Sequence, residues 1–168
     1  ISGLVSAYEL CIIDKAEFDR RIFKLLKTMR TLTLFRGELP NKAYQTKTAE
    51  RVNYQNVPGE IGYSSLDLGR LLVWFRILSN RYPYLSNSID SILLRWDFSK
   101  VVGEDGLLYG ARIDEETGET VYTQEGRLGY EEYAAKGFAL WGFEPHEAHR
   151  AEPFRTVSIF DVAVPYDG

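Results

Sequence analysis

The residues of this sequence best suited to chemistry are carboxylates that stand among tyrosines and glycines close to the starts of two predicted helices. Two segments concentrate them, residues 58–64 and 124–131. Hydrolysis of a glycosidic bond needs two carboxyl groups, one acting as a general acid and the other as a base or nucleophile. An apolar, aromatic surrounding raises the pKa of a carboxyl group and so favours the acid role. The candidates for this chemistry are Glu60, Asp67, Glu125 and Glu131.

Each candidate carboxylate also has a purely structural interpretation. Glu60 falls in a loop, where solvation or helix capping explains it equally well. Asp67 and Glu131 fall in first helical turns, where a negative charge is favoured by the helix dipole. Glu125 is two residues from Arg127, and an ion pair between the two is the simplest account of both.

Tyrosines and polar side chains in the same segments are candidates for binding a ligand. Tyr63 and Tyr130 each combine an apolar ring with a polar hydroxyl, which suits a platform for a sugar ring as well as a place in a core. Asn41 and Arg127 carry hydrogen-bonding groups and are candidate polar clamps. Aromatic residues make up 14% of the chain, so a cleft rich in tyrosine is compatible with the composition.

The elements that must position these residues are predicted to be helices joined by alternately short and long connections. Apolar residues at helical spacing predict five helices, of which the second begins after the capping residue Asp14. They cover residues 2–13, 15 to about 29, 65 to about 81, 83 to about 96 and 130–141. The long connectors span about residues 33–63 and 97–129, and the second holds a predicted β-hairpin between residues 107–113 and 120–123.

This alternation predicts an all-α fold of antiparallel helical hairpins, forming part of an (α/α)6 toroid and carrying the small β-hairpin in a long loop. A plain helical solenoid or bundle is the alternative. Antiparallel hairpins place both connectors, and the N-termini of the third and fifth helices, at one end. We therefore expect the candidate carboxylates to share a cleft there. The chain is interpreted as a single domain over residues 1–168, a fragment of a larger toroid.

Composition excludes several classes of function. The 168 residues carry a formal net charge of −4 without a basic stripe, which argues against nucleic-acid binding. A single cysteine, Cys11, excludes a disulfide framework and a cysteine zinc cage. No apolar run is long enough to cross a membrane. His146 and His149 lack the spacing of a zinc-protease helix, so we expect neither a metal nor another cofactor.

Four segments resemble a known family: residues 3–10, 39–42, 62–72 and 125–135. They are similar to a bacterial domain-of-unknown-function family related to the glycoamylase-like domains of the six-hairpin glycosidase superfamily. The resemblance implies a toroid, a carbohydrate ligand and a periplasmic or extracellular location, with other parts of a longer protein as further partners. It provides no catalytic residues that can be carried over.

Two functions follow as expectations. The first is a glycoside-hydrolase-like domain that processes a bacterial β-glucan or exopolysaccharide by carboxylate acid–base chemistry. The second is a non-catalytic module that binds a glycan or a protein through the same face. Carboxylates paired in one cleft would favour the first, and exposed aromatic rings without such a pair would favour the second.

Overall fold

The structure, a computed structural model, describes residues 1–150 and 154–166. Five α-helices lie in these residues: α1 (Ser2–Glu9), α2 (Lys15–Thr31), α3 (Ser65–Arg81), α4 (Ser86–Leu93) and α5 (Tyr130–Ala139). A short 3-10 helix, Pro83–Leu85, precedes α4. Within the same residues, no helix combines the length and the apolar character that crossing a membrane requires.

Seven strands accompany the helices in these residues and form three small antiparallel sheets. The strands are β1 (Leu34–Phe35), β2 (Leu39–Pro40), β3 (Gly62–Tyr63), β4 (Tyr109–Ile113), β5 (Thr120–Gln124), β6 (Arg155–Ile159) and β7 (Val162–Tyr166). Strand β1 pairs with β2, β6 pairs with β7, and β4 lies between β3 and β5.

The predicted all-α fold, and with it the toroid, is therefore wrong: the chain has a mixed α/β fold. The predicted hairpin is present as β4–β5, but β3 extends it to three strands. Strands of two residues have no periodic pattern to detect, and β3 pairs with residues almost fifty positions away. Gly62 makes that pairing possible, because its φ is +117° and a Cβ there would lie 1.8 Å from the carbonyl oxygen of Ala111.

The chain divides into two compact units, and α3 contributes to both. The first unit contains residues 1–61 and 74–97. In α2, the carboxylate of Asp14 accepts a hydrogen bond from the Glu17 amide at 2.8 Å, which confirms the predicted cap. The buried side chains of α2 recur every four residues, at Phe18, Ile22 and Leu26. This spacing places one apolar stripe in the core of the unit.

The second unit contains residues 62–73 and 98–168. Its core holds Tyr63, Leu72, Leu108 and Phe138, all fully buried. Three small residues allow α3 and α5 to approach closely. A Cβ on Gly69 would lie 2.6 Å from the Cα of Ala134, and one on Gly137 would lie 2.0 Å from the Gly69 carbonyl oxygen. Small residues on α5 therefore allow its close packing against α3.

Candidate functional site

The helix pair α3–α5 positions the exposed groups of the second unit. Near the start of α3, Arg70 lies over the ring of Tyr130, the first residue of α5. Further along, the indole Nε1 of Trp141 donates to the carbonyl oxygen of Leu72 at 3.0 Å. These contacts connect α3 and the α5 segment within the second unit.

Three side chains near the starts of α3 and α5 form an exposed cluster, which we call the Tyr130 platform: Asp67, Arg70 and Tyr130. The Tyr130 side chain is 52% exposed, and the Arg70 guanidinium lies 5.6 Å from the centre of its ring. The same guanidinium lies 3.6 Å from the carboxylate of Asp67, which is 77% exposed. The Tyr130 ring thus carries the Arg70 guanidinium over one face, and the Asp67 carboxylate lies next to that guanidinium, with all three side chains exposed to solvent.

Glu125 has a structural role at the start of α3. Its Oε2 accepts hydrogen bonds from the Ser65 amide at 2.6 Å and from the hydroxyls of Ser64 and Ser65 at 3.1 and 2.8 Å. These donors belong to the helix N-terminus, where backbone N–H groups lack partners within the helix and a negative charge is stabilised. The carboxylate therefore joins the end of β5 to α3 as a helix cap supplied from a distant segment.

Glu131 is the buried carboxylate of the second unit, with 1% of its surface exposed. Its Oε1 accepts from the Leu108 amide at 3.1 Å, and its Oε2 accepts from the Gln124 side-chain amide at 3.0 Å. A buried carboxylate is tolerated only where such donors replace water. The neighbouring Glu132 has one buried carboxylate oxygen with no hydrogen-bond partner among the described residues.

Glu60 belongs to the first unit and forms ion pairs with two arginines. Its carboxylate contacts the guanidinium groups of Arg51 and Arg36. Glu60 also lines a cleft of about 310 Å³. The lining residues of this cleft are Thr33, Glu50, Arg51, Pro58, Gly59 and Glu60. Glu50 is thus a second carboxylate on the same cleft, and the sequence pattern did not single it out.

Asn41 is buried, and its hydrogen bonds join separate segments of the first long connector. Its side-chain Nδ2 donates to the carbonyl oxygens of Ala43 and Val52 at 2.9 and 3.2 Å, and its Oδ1 accepts from the Ile61 amide at 2.9 Å. Its backbone amide donates to the hydroxyl of Tyr44, a group whose pKa is raised chiefly by burial. With 4% of its surface exposed, Asn41 holds connector segments together.

The remaining two predicted residues lie in the second unit. Tyr63 is fully buried, so its ring is not accessible to a ligand. Arg127 has an exposed side chain, and its backbone carbonyl accepts from the Tyr130 and Glu131 amides at 3.0 and 3.1 Å. In the described fold, Arg127 therefore stabilises the first turn of α5 through its backbone carbonyl.

Of the eight predicted residues, the structure thus brings together Asp67 and Tyr130. They are joined by Arg70, which the sequence pattern did not single out. Arg70 follows Asp67 by three positions on α3, a spacing that places both on one helix face. That spacing is the signal that would have found it. In the described part of the chain, no three potential metal ligands converge.

A loop of the second unit holds a further acidic group beside a cleft of about 440 Å³. The Tyr109 hydroxyl donates to the Asp105 carboxylate at 2.7 Å, and the Leu107 amide donates to it at 3.1 Å. These hydrogen bonds, with that of Tyr109 first, lower the pKa of Asp105. The carboxylate is accordingly stabilised in its charged form as part of the loop.

Comparison with known proteins places this mixed α/β chain in a family. The model of the family described as "Protein of unknown function (DUF3131)" matches residues 1–168. The chain belongs to that family. No curated protein matches it, and no solved structure does.

Proposed function

We propose that this chain binds a glycan, a bacterial β-glucan or exopolysaccharide, on the Tyr130 platform without cleaving it. The exposed Tyr130 ring beside Arg70 and Asp67 is the observation that carries the proposal. The C–H face of a sugar ring packs against an aromatic face, while its hydroxyls need both donors and acceptors. The platform offers all three.

The surroundings of the other candidate carboxylates support binding rather than hydrolysis. Glu125 is hydrogen-bonded at the start of α3, and Glu131 is buried in the first turn of α5. Neither is placed to protonate a leaving group in solvent. The resemblance to the glycoamylase-like domains of the six-hairpin glycosidase superfamily supports a carbohydrate as the ligand, and this relationship is part of the proposal.

We expect Tyr130→Ala to weaken binding of β-glucan oligosaccharides at least about tenfold, because it removes the aromatic face of the platform. Isothermal titration calorimetry against a panel of β-linked oligosaccharides measures the effect. Tyr54→Ala is the matched control, since Tyr54 is a 76% exposed tyrosine of the first unit. The proposal fails if the two variants bind alike, or if the unmodified chain binds no member of the panel.

Hydrolysis in the cleft of the first unit is a second candidate function, favoured by one observation: Glu50 and Glu60 line the same cleft. Mass spectrometry of the oligosaccharides after incubation separates the two functions. Binding alone returns the sugars intact. Hydrolysis in this cleft releases shorter sugars, and Glu60→Gln stops their release while leaving the far-UV circular dichroism unchanged.

A further inference from the structure

The β6–β7 hairpin is a two-stranded sheet with an apolar face open to solvent. In its register Arg155 lies opposite Tyr166, Val157 opposite Val164, and Ile159 opposite Val162. Directly opposed residues share a face, so five of these six side chains form one apolar face. Every residue of the two strands except Val164 is exposed. A single two-stranded hairpin is at best marginally stable in water. Independent stability needs three or more strands with a hydrophobic face, or packing against a helix.

The two edges of the hairpin differ in their capacity to pair. Phe160 and Asp161 form a two-residue turn with φ of 51° and 63°, the combination of a type I′ turn. Ile159 and Val162 are then a hydrogen-bonded pair, so the backbone groups of Thr156, Ser158, Ala163 and Pro165 point outwards. Pro165 has no N–H and interrupts the β7 edge. The β6 edge has no proline and keeps all its donors.

We propose that β6 pairs with β6 of a second copy of this chain, in antiparallel orientation about a two-fold axis at Val157. This register places Val157 opposite the partner's Val157 and Thr156 opposite the partner's Ser158. The outward backbone groups of Thr156 and Ser158 then form the hydrogen bonds. At the centre of the strand Val157 meets Val157 on one face and hydroxyls meet hydroxyls on the other, so these three residues are complementary to themselves. Arg155 lies opposite the partner's Ile159 at each end of the pairing.

Charge supports a second copy as the occupant. In the antiparallel register, Arg155 of each copy lies diagonally from the turn of the other, where Asp161 carries the opposite charge. The product is a four-stranded sheet, which satisfies the strand number that the isolated hairpin lacks. Its outer edges are both β7, where Pro165 prevents further addition. The pairing therefore closes at a dimer instead of continuing into a fibre.

Sedimentation equilibrium of the 168-residue chain over a wide concentration range tests the proposal. We expect a monomer–dimer equilibrium. Ser158→Pro, which removes an outward N–H of β6, should raise the dimer Kd at least about tenfold, because backbone hydrogen bonds supply the affinity of strand addition. Ala163→Pro is the matched control: Ala163 is the cross-strand partner of Ser158 and lies on the interrupted β7 edge. We expect its Kd to match that of the unmodified chain.

A second pair of variants tests the same pairing without introducing proline, which can unfold a strand locally. Val157→Lys places two like charges together at the two-fold axis, whereas Val164→Lys places the same charge one strand away on the same face. We expect the first to abolish the dimer and the second to preserve it. A chain that stays monomeric at all concentrations overturns the proposal. An equal loss of dimerisation in both variants of either pair also overturns it, because the dimer contact would then be made by the apolar face and not by the β6 edge.

Discussion

Replacing Gly137 with alanine is expected to lower the free energy of unfolding by about 3 kcal/mol, the upper part of the range for overpacked cores. The added Cβ would lie 2.0 Å from the carbonyl oxygen of Gly69, which is backbone and cannot rotate away. Helices α3 and α5 must then move apart. Urea denaturation followed by circular dichroism at the helix band measures the change.

Gly3→Ala is the control for that experiment. Gly3 also lies within a helix, and a Cβ there would meet nothing within 4 Å. Alanine is the better helix former, so we expect this variant to be more stable by about 0.5–1 kcal/mol. Equal destabilisation by both substitutions would contradict the close approach of α3 and α5.

Removal of the buried carboxylate in Glu131→Ala is expected to cost about 3 kcal/mol of unfolding free energy. The variant loses hydrogen bonds to a charged group, and it leaves the Leu108 amide buried without an acceptor. Glu131→Gln keeps one side-chain oxygen and should cost roughly half as much. Chemical denaturation measures both variants under the same conditions.

The adjacent residue supplies the control for Glu131. One carboxylate oxygen of Glu132 is buried without a hydrogen-bond partner among the described residues, so its removal relieves a desolvation cost. We expect Glu132→Ala to be within about 1 kcal/mol of the unmodified chain or more stable. If Glu131→Ala were as mild as Glu132→Ala, the structural role assigned to Glu131 would be incorrect.

Much of the helical structure was predictable from the sequence because its signals are local. Asp14 and Glu17 mark the start of α2, and the hydroxyl of Ser64 accepts from the Asp67 amide at the start of α3, as capping residues do. The β4–β5 hairpin was predictable for the same reason, since a glycine-containing turn lies between two β-prone runs. Each signal lies within a few residues of the element it predicts.

The fold class was not predictable from those signals because it depends on pairing between distant segments. Gly62 and Tyr63 become a strand only beside Arg112 and Ala111. A two-residue segment has no alternation to indicate that pairing. The side chain of Tyr63 is fully buried, so the residue that the sequence pattern suggested as a ligand platform belongs to the core.

The candidate site was predictable in residue types but not in roles. Carboxylates near helix starts were expected to act on a ligand or to stabilise the helix, and sequence alone leaves both open. The Glu125 carboxylate reaches the start of α3 from sixty residues away, a contact that no local spacing encodes. Asp67 and Tyr130 come together because glycine and alanine residues allow α3 and α5 to pack closely.

The most direct test of the proposed function is an NMR titration of isotopically labelled protein with the β-glucan oligosaccharide that binds best. Binding on the Tyr130 platform predicts chemical-shift changes concentrated at Asp67, Arg70, Tyr130 and their immediate neighbours. Shift changes centred instead on Glu50 and Glu60, or no saturable changes with any oligosaccharide tested, would contradict it.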